Sequence, residues 1–124
     1  MFISRKGGLQ YVDRGDVAAY DFTEATLTQD SAWHTLSLAA IIPANAKTVL
    51  LRVGASHAST GRYFRVAKVG NTTGFNNANV STQTANIINE QTTAIALNAA
   101  REITYWATSG TFAALRLLVM GWWI

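Results

Sequence analysis

The sequence has no cysteine, so no disulfide staples the fold and no thiolate holds a metal. It has two histidines, His34 and His57, and neither a His-x-His nor a His-x-x-x-His pair is available as a metal-binding couple. No Gly-x-Ser-x-Gly elbow is present to expose a nucleophilic serine. Charged residues make up 14% of the chain, against about a quarter in ordinary soluble domains. So little charge suits a surface partly covered by copies of the same chain or by neighbours. The longest apolar run, Leu117 to Met120, is far short of the roughly 20 residues that span a bilayer. Met1 to Gly8 lacks the apolar stretch of a secretory signal. Neither a membrane segment nor an export signal is expected.

The scarce charges are unevenly placed. Residues 1–33 carry Arg5, Lys6 and Arg14 against Asp13, Asp16, Asp21, Glu24 and Asp30, whereas the remainder is basic apart from Glu90 and Glu102. The acidic segment fits no EF-hand spacing and reads as a solvated arm. Two carboxylates in one cleft, as glycoside hydrolysis requires, are not to be had from Glu90 and Glu102 alone. Nucleic acid would call for clustered Lys and Arg interleaved with aromatics. Arg62 to Lys68 is the one such stretch, and it reads as a strand with its charges on one edge. Arg14-Gly15-Asp16 reads as a turn, and the sequons at Asn71 and Asn79 as a polar loop. The expectation is no enzyme, no cofactor, no metal and no nucleic acid.

What the chain does have is strand pattern. At 124 residues it is long enough for one domain with a real core. Alternating or continuous apolar runs, punctuated by Gly, Asn, Ser and Thr, predict strands at 16–22, 33–38, 47–55, 62–69, 92–97, 102–107 and 114–124, with one irregular strand within 80–88. Pro43 sits in the turn Ile41 to Ala46, where a strand cannot continue. Residues 94–100 hold enough Ala and Leu for a helical turn, but strand is preferred. Some seven or eight strands at roughly ten-residue spacing predict an all-β antiparallel sandwich, jelly-roll-like in form. Residues 1–16 are expected to be an N-terminal arm and 17–124 the sandwich.

The last strand is unusual because both its faces are apolar. Leu115, Leu117 and Val119 fall on one side and Leu118, Met120 and Trp122 on the other. Burying one Trp removes about 150–250 Å² from water, worth about 4–6 kcal/mol at about 25 cal/mol per Å². Trp122 and Trp123 are therefore expected to be covered. Leu115, Leu117, Val119, Trp122, Trp123 and Ile124 are read as an oligomer interface, or as a seal of the sandwich base against its own N-terminal arm. Of the other aromatics, Trp33, Tyr63 and Trp106 are the candidate platform for sugar rings, with the Asn-rich loop 70–79 supplying hydrogen bonds.

Trp33-His34-Thr35-Leu36-Ser37-Leu38, then Ile42-Pro43-Ala44-Asn45-Ala46-Lys47 and Val49-Leu50-Leu51-Arg52-Val53, resemble a recurring β-sandwich module. The resemblance resumes at Asn86-Ile87 and at Gly121-Trp122-Trp123-Ile124. It is to virion proteins of tailed bacteriophages: tail fibres, receptor-binding tips and head-decoration proteins. It carries no catalytic residue. It implies a structural protein located in the virion, a symmetric homo-oligomer, often a trimer, attached to other virion proteins through its N-terminal segment, with Arg5, Lys6, Gly7 and Gly8 as the attachment residues. The alternative is a carbohydrate-binding module for host-surface glycans.

Overall fold

The computed structural model describes residues 8–124, which form nine strands and no helix. The strands are β1 (Tyr11–Asp13), β2 (Phe22–Thr23), β3 (Trp33–Ser37), β4 (Thr48–Ser56), β5 (Tyr63–Lys68), β6 (Ala78–Ser81), β7 (Asn89–Ala96), β8 (Glu102–Ala107) and β9 (Ala114–Trp123). The first sheet runs β1-β9-β4-β7, with β2 pairing the same side of β9 as β1, and the second runs β3-β8-β5-β6. All pairs are antiparallel. The pairing is nested: β5 with β6, β4 with β7, β3 with β8 and β2 with β9. A long four-rung ribbon rolled until β4 meets β9 and β5 meets β8 gives this order, and it is the jelly roll. The expected fold class is the fold of the molecule.

Alternation decides which side chains enter the core. Val49, Leu51, Val53 and Ala55 of β4 and Leu115, Leu117 and Val119 of β9 line the inner face of the first sheet. Phe64 and Val66 of β5 and Ile103, Tyr105 and Ala107 of β8 line that of the second. Leu38, Ile42 and Phe112 close the ends. Leu115, Leu117 and Val119 are completely buried within one chain, which corrects their assignment to an oligomer interface: no partner can reach them.

A bulge corrects the assignment of faces further along β9. Leu51 pairs with Val119 and Leu50 with Gly121, so Met120 is an extra residue and the phase of the strand reverses there. Trp122, opposite the buried Val49, consequently turns inward and packs against the core. Trp123 faces outward, where Tyr11 meets it with ring centroids 5.0 Å apart.

The N-terminal boundary also shifts. Tyr11–Asp13 is a strand of the first sheet, paired with the end of β9, so the arm does not extend to residue 16. Gln10 and Ile124 exchange backbone hydrogen bonds, which seals this end as the sequence reading allowed. Of the strand expected at 16–22, only Phe22 pairs, as the start of β2. Between β1 and β2 the chain leaves β9 at Arg14, whose N–H donates to the Met120 carbonyl, and returns at Asp21, whose N–H donates to that of Leu117. Gly15, at φ 96°, takes the turn. The Arg14 guanidinium pairs with the Asp21 carboxylate at 2.5 Å and closes the excursion. The irregular strand sought within 80–88 is β6, which begins at Ala78.

Candidate functional site

On the outer face of the second sheet, residues far apart in sequence come into one row. Trp33 stands opposite Trp106, Trp106 opposite Arg65, and Arg65 opposite Asn79. These four positions cross all four strands, a span of about 14 Å at the usual strand spacing. They share a face because Phe64, Val66, Tyr105 and Ala107, their neighbours in sequence, point into the core. Tyr63, two residues before Arg65, lies on the same face, paired across β6 with Ser81. The three aromatics expected as a sugar platform are thus all on one surface, each half-buried.

Arg65 completes the surface. Its guanidinium carbon lies 4.6 Å from the centroid of the Trp106 ring and 5.1 Å from that of Tyr63. Two ring faces hold the cation in place by quadrupole attraction. Among the described residues Arg65 has no acidic partner: the ion pairs are Arg14–Asp21, His34–Asp30, Arg52–Glu90 and Arg116–Glu90. The charges of residues 62–68 are expected on one edge of their strand; Arg65 lies instead on the outer face near the centre of the sheet, since β5 runs between β8 and β6. The alternation Tyr63, Arg65, Ala67 against Phe64, Val66 was the signal that put Arg65 beside Tyr63. Thr35 and Ser37 of β3 extend the same face with small, exposed polar groups.

The other candidate residues are engaged in structure. His34 Nε2 lies 2.8 Å from Asp30 Oδ1, and its ring packs on Tyr105 at 5.6 Å. The hydrogen bond with His34 holds the Asp30 carboxyl below the usual aspartate range. His57 Nδ1 accepts from the Ser59 N–H, and its ring meets Phe112 edge-on at 5.0 Å. In the acidic segment, Asp13 accepts from the Gly15 N–H, Asp21 from the Val119 N–H and Glu24 from the Leu115 N–H. Among the described residues no three His, Asp or Glu gather to hold a metal. Of the attachment residues, Gly8 is exposed, and Arg5, Lys6 and Gly7 lie outside the described residues.

The outer face of the first sheet is a different surface. Segment 17–20 folds across it, and Val17, Ala18 and Ala19 border a groove with Arg52 and Leu118. Tyr20 covers Arg116, with the guanidinium carbon 5.1 Å from its ring centroid, and its hydroxyl donates to Glu90 Oε2 at 3.2 Å. Arg52 donates to Glu90 Oε1 at 2.9 Å. That hydrogen bond, with help from Tyr20 and Arg116, holds the Glu90 carboxyl below the ordinary glutamate range, against a smaller opposing effect of burial.

No protein-family model and no curated protein matches the chain.

Proposed function

We propose that this chain is a non-enzymatic jelly-roll protein of a bacteriophage virion, a fibre, tip or decoration subunit, whose open aromatic face contacts host-surface glycans. The observation that carries the glycan reading is the row Trp33, Trp106, Arg65 and Asn79, with Tyr63 beside it. Flat apolar rings suit the C–H faces of sugars, and the Arg65 fork and the Asn79 amide suit their hydroxyl and carboxylate groups. Single-stranded nucleic acid also stacks on aromatics, but it needs a basic track along its backbone. This face offers one central arginine, which favours carbohydrate.

The virion reading rests on the resemblance alone, whose residues fall on β3, on the turn into β4, on β4, at Asn86-Ile87 before β7 and at the end of β9. Assembly as a homo-oligomer, with a trimer favoured, moves from the buried strand positions to the half-exposed outer ones, Leu118, Met120, Trp123 and Ile124. Attachment to other virion proteins is assigned to residues 1–9, because Tyr11 and Val12 belong to the sheet.

A glycan array probed with the labelled protein tests the surface. Binding should be lost in Trp33→Ala, Trp106→Ala and Arg65→Ala while folding persists; an array on which the wild type binds nothing sinks the glycan reading. Light scattering tests assembly, and a monomer at all concentrations removes it. Deleting residues 1–9 should leave the fold intact and abolish incorporation into particles. Normal incorporation would show that residues 1–9 are not the attachment segment.

A further inference from the structure

The edges of the two sheets are not alike. β1 and β2 share one edge of the first sheet with three and two residues, and β3 and β6 bound the second with five and four. β7 bounds the first sheet on its other side with eight residues, and β4 is its only partner strand among the described residues. Its register with β4 runs unbroken from Asn89 to Ala96, so no bulge twists it away. It contains neither lysine nor proline, and its one charge, Glu90, is held by Arg52. The devices that ordinarily keep a sheet edge from pairing are missing from this strand.

Alternation shows which groups the edge offers. The Leu97 N–H donates to the Lys47 carbonyl, so Leu97 and every second residue before it, Ile95, Thr93, Gln91 and Asn89, direct their backbone groups to β4. Glu90, Thr92, Ala94 and Ala96 direct theirs away, and among the described residues those N–H and C=O groups find no partner. Thr92, Ala94 and Ala96 are also exposed. The β5–β6 connection borders residues 93–96 across an open groove, so the edge is flanked and not sealed. The strand is complementary to itself. Antiparallel pairing with a second copy, centred on Thr93, sets Glu90 opposite Ala96 and Thr92 opposite Ala94. Both members of each pair belong to the outward-directed set, so each pair exchanges two hydrogen bonds. Thr93 meets itself on the axis, and threonine pairs are favourable across strands. The two Glu90 carboxylates then stand six residues apart, about 20 Å at the usual strand rise, so no like charges meet.

We propose that β7 pairs with β7 of a second copy of this chain about a two-fold axis at Thr93, joining the first sheets of the two copies into one continuous sheet. The interface is isologous, the same strand on both sides, and closes at two chains. It does not rest on the glycan reading, and it uses none of the outward β9 positions assigned to assembly above.

The test exploits the absence of cysteine from the full chain. Thr93→Cys places one thiol per chain on the axis, in a non-hydrogen-bonded pair whose Cα atoms are about 4.5 Å apart, within disulfide reach. Gln91→Cys places its two thiols four residues apart, about 13 Å along the strand, which is out of reach. Under oxidation by diamide, Thr93→Cys should form a covalent dimer at least tenfold faster than Gln91→Cys. Light scattering of the wild type should show a dimer that dissociates on dilution. Ala94→Lys, a charge added at an exposed edge position, should weaken that dimer at least tenfold while the dilute chain melts like the wild type. Hydrogen exchange should show the amides of Thr92 and Ala94 gaining protection with concentration. The proposal is overturned if Thr93→Cys cross-links no faster than Gln91→Cys, if Ala94→Lys dimerises like the wild type, or if the chain is monomeric at every concentration. Protection of Thr92 and Ala94 that does not depend on concentration would also overturn it, because a segment of the same chain would then cover the edge. A trimer weakened by Leu118→Ala, with no cross-link through residue 93, would leave the outer-face assembly standing and this one failed; a dimer cross-linked there and indifferent to Leu118→Ala would do the reverse.

Discussion

The backs of the two sheets are built from similar strands and end up in different states. On the first, Tyr11 lies against Trp123, segment 17–20 crosses β9, and Glu90 is held by Arg52, Tyr20 and Arg116. Here the chain provides part of its own cover and leaves Leu118, Met120 and Trp123 half-exposed. On the second, Trp33, Trp106 and Tyr63 stand half-exposed with only Arg65 between them. The difference is one of charge pairing and not of exposure: Tyr11 is 42% exposed and Trp123 is half-buried, as Trp33, Trp106 and Tyr63 are. Arg52 and Arg116 are paired with Glu90, whereas Arg65 has only aromatic rings beside it among the described residues, and the proposed glycan face rests on that difference.

The largest effect that tests the contrast lies within one strand. Leu117 faces the core and is completely buried, while its neighbour Leu118 faces outward beside Arg52 and segment 17–20. Leu117→Ala should cost about 2–5 kcal/mol, through lost transfer energy and the cavity left behind. Leu118→Ala should cost less than about 1 kcal/mol in the monomer. Urea melts of both variants check this, and equal losses would mean that the outer face is as tightly packed as the core.

Next in size is the seam where the N-terminal strand meets β9. A Cβ on Gly121 would lie 2.5 Å from the Val12 carbonyl oxygen and would also strike the Tyr11 ring. Backbone cannot yield there as a flexible side chain can, so Gly121→Ala should cost about 1–3 kcal/mol. Hydrogen exchange should show Tyr11 to Asp13 losing protection while the β4–β9 ladder keeps it. Unchanged protection of those amides would show that the strand accommodates the methyl.

These features were unequally legible in the sequence. β8 could be read to the residue, because Ile103 and Tyr105 alternate with polar or outward positions and turn-forming residues flank both ends. The jelly roll followed from strand count and spacing. The bulge at Met120 left no trace, because Leu118 to Ile124 is apolar on either phase apart from Gly121, so no register was marked. The split of the expected strand at 16–22 was hidden for another reason: Arg14, Asp21 and Gly15 read as polar residues of an arm, and their closure depends on Met120 and Leu117 a hundred residues away. Trp33, Tyr63 and Trp106 were nameable as single residues, but their meeting depends on the order β3-β8-β5-β6. Arg65 was missed because its charge was read along the strand and not across the sheet.

Smaller in stability, and larger in function, is the open face itself. Trp106→Ala removes one ring from Arg65 together with the buried part of the ring, and should cost about 1–3 kcal/mol. The same substitution should abolish glycan binding. A stability loss above that of Leu117→Ala would show that Trp106 is a structural residue and would count against the face as a binding surface.

The smallest effect belongs to the covered back, and pH isolates it. The Glu90 carboxyl is held below its ordinary range chiefly by the hydrogen bond from Arg52. A carboxylate with a lowered folded-state pKa contributes stability that is fully present above its unfolded value, about 4.3, and that disappears as pH falls through the folded value. Glu90→Gln keeps the shape and removes the charge. Being partly solvated, the network should be worth less than about 1 kcal/mol at neutral pH. The difference between wild type and Glu90→Gln should be constant from pH 7 to pH 5, shrink below about 4.3, and vanish once the wild-type carboxyl is protonated. Thermal melts across that range read the difference directly. A gap that persists in acid would mean that the glutamine disturbs packing over Gly54, where a Cβ would lie 2.7 Å from Glu90 Cγ, and not that an ion pair was lost. Neither outcome should alter glycan binding, because Glu90 and the aromatic row lie on the outer faces of different sheets.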